Sequence, residues 1–316
     1  MAINMDKVGL CVPTLNAGAA WTGWLAAWAT QLAKPRALVI DSGSDDATVD
    51  LAVAAGLRVC CISRRSFNHG GTRQMAVGML PDAEFIVFLT QDAVLATPRS
   101  IANLLLAFDD PAVGAVCGRQ LPRPGGGAIG AHGRLFNYPA ADAVRTAADI
   151  PTLGIKTAFL SNSFAAYRRS ALMSVGGFPG NVVFGEDMCV AARMLLAGWK
   201  IAYCADAQVY HSHDYSPVQE FRRYFDVGVM HAREQWLLKR FGKPEGEGAR
   251  FVRSETAYLW KHAPHLIPLA WLGTLCKLAG YRMGMAEVAL PLWLKIRLGI
   301  RPCNWKKHEY SRRAKA

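Results

Sequence analysis

The stretch Ala37-Leu38-Val39-Ile40-Asp41-Ser42-Gly43-Ser44-Asp45-Asp46-Ala47-Thr48 runs from an apolar segment through a polar turn into a helical pattern, Thr48 to Ala55. Apolar residues in a row, bounded by turn residues, read as a buried strand. The same unit recurs around it, with further strand candidates at Val8 to Pro13, Arg58 to Ser63, Phe85 to Thr90 and Val113 to Cys117. Between them Trp21, Trp24, Leu25, Trp28 and Leu32 fall at helical spacing, and Thr97-Pro98 reads as a cap followed by proline at the first helical position. Short strands alternating with helices predict an α/β fold with parallel strands over the first 120 residues. In open sheets of this kind ligands sit beyond the carboxyl ends of the strands, so the loops after Val12, Ile40 and Leu89 are where chemistry is expected.

Further along, Phe164 to Tyr167, Lys200 to Cys204 and Gln208 to His211 read as strands, and Glu186 to Ala197 as a helix stopped by Gly198. Residues 118–150 lack periodicity and contain Arg123-Pro124-Gly125-Gly126-Gly127, which predicts a long mobile loop or lid. The string Gly125 to Gly130 fits G-x-G-x-x-G, but it follows two prolines in coil instead of linking strand to helix, and the first strand runs into Pro13-Thr14-Leu15-Asn16. Both facts speak against a dehydrogenase.

The chain has 316 residues, 52% hydrophobic and 19% charged, which excludes disorder and a disulfide-stapled miniprotein. Its net charge of +12 is unevenly placed: residues 1–220 hold 17 basic and 17 acidic side chains, and residues 221–316 hold 19 and 7. A neutral body with a basic tail argues against a protein wrapped in nucleic acid, and no nucleic-acid reading head is recognisable. The eight cysteines form no C-x-x-C pair and read as reduced core residues. The N-terminus lacks the apolar stretch of a secretory signal, and Leu266 to Cys276 falls short of the ~20 residues needed to span a bilayer, so a cytoplasmic protein is expected. From Lys295 onward Lys295, Arg297, Arg301, Lys306, Lys307, Arg312, Arg313 and Lys315 face one acid, Glu309, with Trp271, Tyr281, Trp293 and Trp305 interleaved. That mixture predicts peripheral attachment to an anionic membrane surface, with a solvated basic tail as the plain alternative.

Five motifs carry the candidate chemistry. Asp41 ends the second strand, where a carboxylate can accept from a base N–H; Ser44 or Asp45 can also cap the next helix. Phe67-Asn68-His69-Gly70-Gly71-Thr72-Arg73-Gln74 opens a helix and can hold phosphate through backbone N–H groups and Arg73, or be a glycine turn. Thr90-Gln91-Asp92 ends the most apolar strand, placing one carboxylate where a hard cation with phosphate oxygens in its shell can bind. Gly185-Glu186-Asp187 sets two acids at a helix start, suited to a general base or to ordinary first-turn acid enrichment. Tyr210-His211-Ser212-His213 puts two imidazoles on one face of a strand end, as metal ligands or as structural histidines.

In order, PTLN, IDSGSDDAT, FNHGGTRQ, TQDA, GGFPGNVVFGEDM and VYHSH resemble the family 2 glycosyltransferases, over about residues 8 to 215, and the FNHGGTR and TQDA variants look most like the bacterial rhamnosyltransferases of that family. The resemblance implies an A-type glycosyltransferase (GT-A) fold, a Rossmann-like sheet with a helical C-terminal extension. It divides the chain into a catalytic domain, 1–220, with a donor half to about 117 and an acceptor half from about 151, and a basic helical region, 221–316. It implies a nucleotide-sugar donor, dTDP-L-rhamnose, a divalent cation, Mg²⁺ or Mn²⁺, and inversion at the anomeric carbon, and the expected membrane attachment would suit a lipid-linked glycan acceptor. Carried over by motif, Pro13, Thr14, Leu15, Asp41, Arg73, Gln91 and Asp92 would bind the donor nucleotide and its diphosphate. Asp92 and His211 would hold the metal, with His213 as substitute, and Asp187 beside Glu186 would be the general base. The sequence departs from the family's D-x-D at its first position, which is Thr90. A binding protein with a dead site is the competing class, against which retention of Glu186, Asp187 and His211 speaks. Trp199, Phe164 and the 118–150 loop are candidates for the acceptor site, with core packing the alternative for both aromatics.

Overall fold

A computed structural model describes residues 3–242 and 246–300. The strands are β1 (Val8–Thr14), β2 (Arg36–Asp41), β3 (Arg58–Cys61), β4 (Phe85–Leu89), β5 (Val94–Leu95), β6 (Val113–Leu121), β7 (Ala143–Arg145), β8 (Phe164–Arg168) and β9 (Lys200–Tyr210). They form one sheet in the order β3-β2-β1-β4-β8-β6-β9-β5, with β7 also on β9. Strands β3, β2, β1 and β4 are parallel, as expected. The sheet as a whole is mixed, because β8 inserts antiparallel between β4 and β6, which leaves β6 running in the direction of β4, and β5 and β7 run antiparallel to β9. A strand's direction is set by its connections, not by its own apolar pattern.

The helices are α1 (Ala20–Ala29), α2 (Thr48–Ala54), α3 (His69–Met79), α4 (Ser100–Leu106), α5 (Ala128–Asn137), α6 (Ile150–Leu153), α7 (Arg169–Ser174), α8 (Glu186–Leu196), α9 (Pro217–Arg233), α10 (Gln235–Phe241), α11 (Glu247–His262), α12 (Ile267–Met285) and α13 (Leu292–Leu298). Alternate residues of each central strand feed two cores, one on each face: Cys11, Ile40, Phe88 and Tyr167 on one side, Val12, Val39, Leu89 and Phe164 on the other. Trp21, Trp24 and Trp28 stack along α1 and close the second core. Leu32 lies beyond that helix and is exposed, so the tryptophan spacing ends one turn earlier than the pattern suggested. Phe164 is core, and Trp199 packs against the first core.

Two expectations are revised by packing. Residues 118–150 are ordered: β6 continues to Leu121, and α5 and β7 follow. The glycines there serve close approach, because a Cβ at Gly127 or Gly130 would meet the Asp214 Oδ1 at 2.7 or 2.6 Å. The two short strands expected at 200–211 are one strand, with an irregularity where Gly118 pairs Cys204 and the next residue, Arg119, pairs Gln208. That bulge breaks the alternation and re-aims the strand end. Helix α4 starts at Ser100, with Thr97 and Pro98 in the turn before it.

After the sheet, α9, α11, α12 and α13 form a helical layer, and residue 220 falls inside α9. Gly280 and Gly284 lie against α9, where a Cβ would stand 2.2 Å from the Phe221 carbonyl oxygen and 2.1 Å from that of Phe225. Buried Glu287 holds Arg233 and Lys295 together, so Lys295 is structural and leaves the basic surface run. Arg301, Lys306, Lys307, Glu309, Arg312, Arg313, Lys315, Trp305 and Cys303 lie outside the described residues. The seven described cysteines are free; Cys11, Cys117 and Cys189 are core residues, but Cys61 is exposed. Among the described residues no helix is long and apolar enough to cross a membrane.

Candidate active site

The site lies where the parallel strands end. Register places Thr14 opposite Asp41, and the Thr14 hydroxyl donates to Asp41 Oδ2 at 2.9 Å. Asp41 also accepts from the N–H groups of Gly43 and Ser44 and from the Ser44 hydroxyl. All four acceptor positions of its carboxylate are therefore used inside the protein. This corrects the expected direct contact with a base: Asp41 builds the loop that would face one. Asp46, instead of Ser44 or Asp45, bonds the first residue of α2, through the Thr48 N–H and hydroxyl. Gln91 clamps the backbone of Leu15, accepting its N–H at 2.7 Å and donating to its carbonyl at 3.1 Å. Leu15 itself is exposed on the rim of the crevice.

Arg73 is also reassigned. It is buried and pairs Glu186 at 2.9 Å, with a second bond to the His69 carbonyl, so it does not present its charge to a diphosphate. The rest of its motif is structural: Asn68 caps α3 through the Gly71 N–H, and a Cβ on Gly70 would stand 1.9 Å from the Pro179 carbonyl oxygen.

Asp92, His211 and His213 converge. Each His Nε2 lies near Asp92 Oδ2, at 3.4 Å for His211 and 3.5 Å for His213, and the two Nε2 atoms are 3.0 Å apart. The sequence offered His213 as an alternative to His211; both are present at once, and the three candidate ligand atoms lie within 4.8 Å of one another. Thr90, at the departed D-x-D position, donates its hydroxyl to Asp92 Oδ1. Gln120 fixes the His211 tautomer. Its Oε1 accepts from Arg134 at 2.7 Å, so the His211 Nδ1 2.8 Å away is the N–H donor to it, and Nε2 is turned toward Asp92 and His213. Burial lowers both histidine pKa values, His213 to about 4, which keeps the rings neutral and able to ligate. Burial alone would raise the Asp92 pKa, but His211, Thr90 and His213 hold it well below the usual carboxylate range. One carboxylate and two neutral imidazoles whose Nε2 atoms converge is a donor set that fits a divalent cation.

Glu186 and Asp187 separate in role at the start of α8. Glu186 is buried, bonded by Arg73 and by the Asn162 side chain. Burial pushes its pKa up, but Arg73, then His69 and Asn162, bring it below the ordinary value. Asp187 is half-buried, and burial followed by the Glu186 charge raises its pKa. A carboxylate held ionised beside one made more basic is the arrangement of a spectator and a base.

Sequence reasoning missed the residues that join these groups. Asn162 donates its N–H to Asp187 and its amide to Glu186 while accepting from Tyr167. Its neighbours Ser161 and Ser163 bond Gln120 and the Thr90 N–H. The loop 161–163 thus braces the carboxylate pair against the Asp92–His211–His213 cluster. Arg123 donates to the Asp92 carbonyl and sets a cation beside that centre. The only sequence signal was a polar triplet, Ser161-Asn162-Ser163, immediately before an apolar strand.

A family profile described as "Glycosyltransferase like family 2" matches residues 6–226. The chain belongs to that family, has the GT-A fold with a helical C-terminal region, and is a glycosyltransferase. Among curated relatives it is 48% identical to the O-antigen chain rhamnosyltransferase RfbN of Salmonella typhimurium, over 96% of this chain and 98% of that one. It is 46% identical to the O-antigen chain rhamnosyltransferase WbaN of Salmonella anatum, over 97% and 98%. Two solved structures share the fold. The mannosyltransferase PcManGT from Pyrobaculum calidifontis, in complex with GDP-Man and Mn²⁺, has a TM-score of 0.53 and 22% identity, covering 96% of this chain and 84% of that one. S. aureus TarS 1–349 has a TM-score of 0.50 and 17% identity, covering 89% and 91%.

Proposed function

We propose that the protein transfers L-rhamnose from dTDP-L-rhamnose to a lipid-linked glycan by a single inverting displacement at the cytoplasmic face of a membrane. The observation that carries the reading is the convergence of Asp92, His211 and His213 beside the Gln91–Leu15 clamp, with a carboxylate of raised basicity, Asp187, braced to it through loop 161–163. Two relatives at 48% and 46% identity named as O-antigen chain rhamnosyltransferases support the choice of sugar and acceptor.

Asp187 removes the proton from the acceptor hydroxyl as that oxygen attacks the anomeric carbon, the C–O bond to the diphosphate breaks, and the nucleoside diphosphate leaves. Glu186 stays ionised against Arg73 and keeps Asp187 basic. Asp92, His211 and His213 would hold Mg²⁺ or Mn²⁺, which supplies charge neutralisation for the departing diphosphate. Arg123 takes the place expected of Arg73 as the protein cation beside that leaving group. Exposed Trp260, Trp271, Leu275 and Trp293 on α11, α12 and α13 supply an apolar face for membrane contact.

The test is thermal stability with Mn²⁺ and a panel of sugar nucleotides, run beside Asp92→Ala; a ligand at 100 times its dissociation constant adds ~2.7 kcal/mol. A metal-dependent shift largest for dTDP-rhamnose and absent in the variant is expected. A larger shift with another sugar nucleotide would overturn the sugar, and no shift with any would favour a dead site.

A further inference from the structure

Gln120 is 2% exposed, and both polar atoms of its amide are bonded to separate parts of the site. Its place is made by the irregularity between β6 and β9. Unbroken pairing from Gly118 and Cys204 would set Gln120 level with Asp206, but the residues taken up by the bulge set it level with Val209, just before His211. The His211 N–H then donates to the Leu121 carbonyl at 2.9 Å. A Cβ on Gly118 would stand 2.4 Å from the Ala207 carbonyl oxygen, so the bulge lies directly against that glycine.

Three bonds leave the amide. Its Oε1 lies 2.7 Å from Arg134 and 2.8 Å from His211 Nδ1, and its Nε2 donates to the Ser161 hydroxyl oxygen at 2.9 Å. Arg134 decides the direction of all three. A guanidinium has donors only, so the atom facing it is the amide oxygen, which makes His211 a donor through Nδ1 and leaves the amide N–H for Ser161. Ser161 precedes Asn162, whose backbone N–H is held by Asp187 Oδ2 at 3.1 Å. Arg134 belongs to α5, whose cap residue Gly127 donates its N–H to Asp214, the neighbour of His213. One buried side chain therefore touches His211 directly and reaches Asp187 through the two residues of the loop.

We propose that Gln120 is a positioning residue for transfer: it ties His211 to the loop that holds the general base, so that the divalent cation and Asp187 are placed by one amide. The link to the base rests on the glycosyltransfer reading, and the link to the ion rests on the Asp92–His211–His213 donor set.

Three readouts separate positioning from packing. Long-range proton–nitrogen correlation NMR on the metal-free chain, with labelled histidine, reads the His211 tautomer. Loss of the free Mn²⁺ EPR signal reads affinity for the ion, and label moved from dTDP-rhamnose to membranes carrying lipid-linked glycans reads kcat at saturating Mn²⁺. They are run on the wild type, Gln120→Leu, Gln120→Glu and Ser161→Ala, with a melting temperature for each. The expected wild type has His211 protonated at Nδ1. Gln120→Leu should weaken Mn²⁺ binding by about 10–100-fold, the loss typical when a residue orienting a metal-bound histidine is removed. Gln120→Glu should restore it, because a carboxylate accepts from both Arg134 and Nδ1. Ser161→Ala should keep the Mn²⁺ affinity and lower kcat by about tenfold or more. Gln120→Leu also removes the Arg134 hydrogen bond; if that variant does not fold, the wild-type tautomer and Ser161→Ala decide. His211 protonated at Nε2 in the wild type, or unchanged Mn²⁺ affinity in folded Gln120→Leu, overturns the assignment, and full kcat in Ser161→Ala overturns the link to the base. Absence of transfer by the wild type would strike the glycosyltransfer reading and the link to the base with it, while the tautomer and Mn²⁺ results still decide whether Gln120 orients His211.

Discussion

Asp187 and Glu186 are neighbours in sequence with opposite fates, and the difference is set by one partner: Arg73 lies against Glu186 and not against Asp187. Because the folded-state pKa of Asp187 is raised, its contribution to stability is present below its unfolded pKa and is lost as pH rises through the folded one. Activity runs the other way, since the base must be ionised. Transfer is therefore expected to fall as pH drops through the Asp187 pKa, and Glu186→Gln to move that acid limb to lower pH. Asp187→Asn should cut kcat by roughly 10²–10⁴ while raising the melting temperature above that pKa. A variant that keeps transfer, or melts lower at alkaline pH, would remove Asp187 from the role of base. The acids and the histidines were legible as residue types at strand and helix ends. The commitment of Arg73 to Glu186 was not, because that partner is 113 residues away in sequence, nor was the Thr14 bond to Asp41, from 27 residues away, although the other three bonds to Asp41 come from Gly43 and Ser44 beside it.

At the scale of elements, strands with apolar runs were read correctly, and errors fell where backbone contact replaces side-chain pattern. The bulge in β9 split one strand into two apparent ones, and the glycine-rich run before α5 looked mobile because its purpose, room for Asp214, lies 84 residues or more away. The α9–α12 crossing is the same kind of feature. Replacing Gly284 by alanine gains about 1 kcal/mol of helix propensity, but its Cβ would sit 2.1 Å from a backbone oxygen that cannot rotate away. Overpacking of that sort costs about 1–3 kcal/mol or more, so the clash wins and the urea midpoint is expected to fall. An unchanged midpoint would mean that the two helices do not pack at that distance in solution.

For the whole molecule, the division of charge along the chain set apart the C-terminal region that folds as helices, but the way that region is attached was hidden. Buried Glu287 and the glycine faces of α12 tie the helical layer to α9. Removing residues from 265 onward would therefore strip a packed surface, and substitutions on the exposed face are the sharper probe. Trp271→Asp with Trp293→Asp, both at exposed sites, should abolish salt-sensitive flotation with anionic vesicles while leaving the melting temperature unchanged; flotation equal to the wild type would refute the membrane face. The account's central claim is transfer of rhamnose by this site. The direct measurement is incubation of the protein and Mn²⁺ with dTDP-rhamnose labelled in the sugar and with bacterial membranes carrying lipid-linked glycans, followed by counting label in the lipid extract. The account predicts metal-dependent labelling by the wild type and none by Asp187→Asn. Labelling from a different sugar nucleotide but not from dTDP-rhamnose, or equal labelling by the variant, would contradict it.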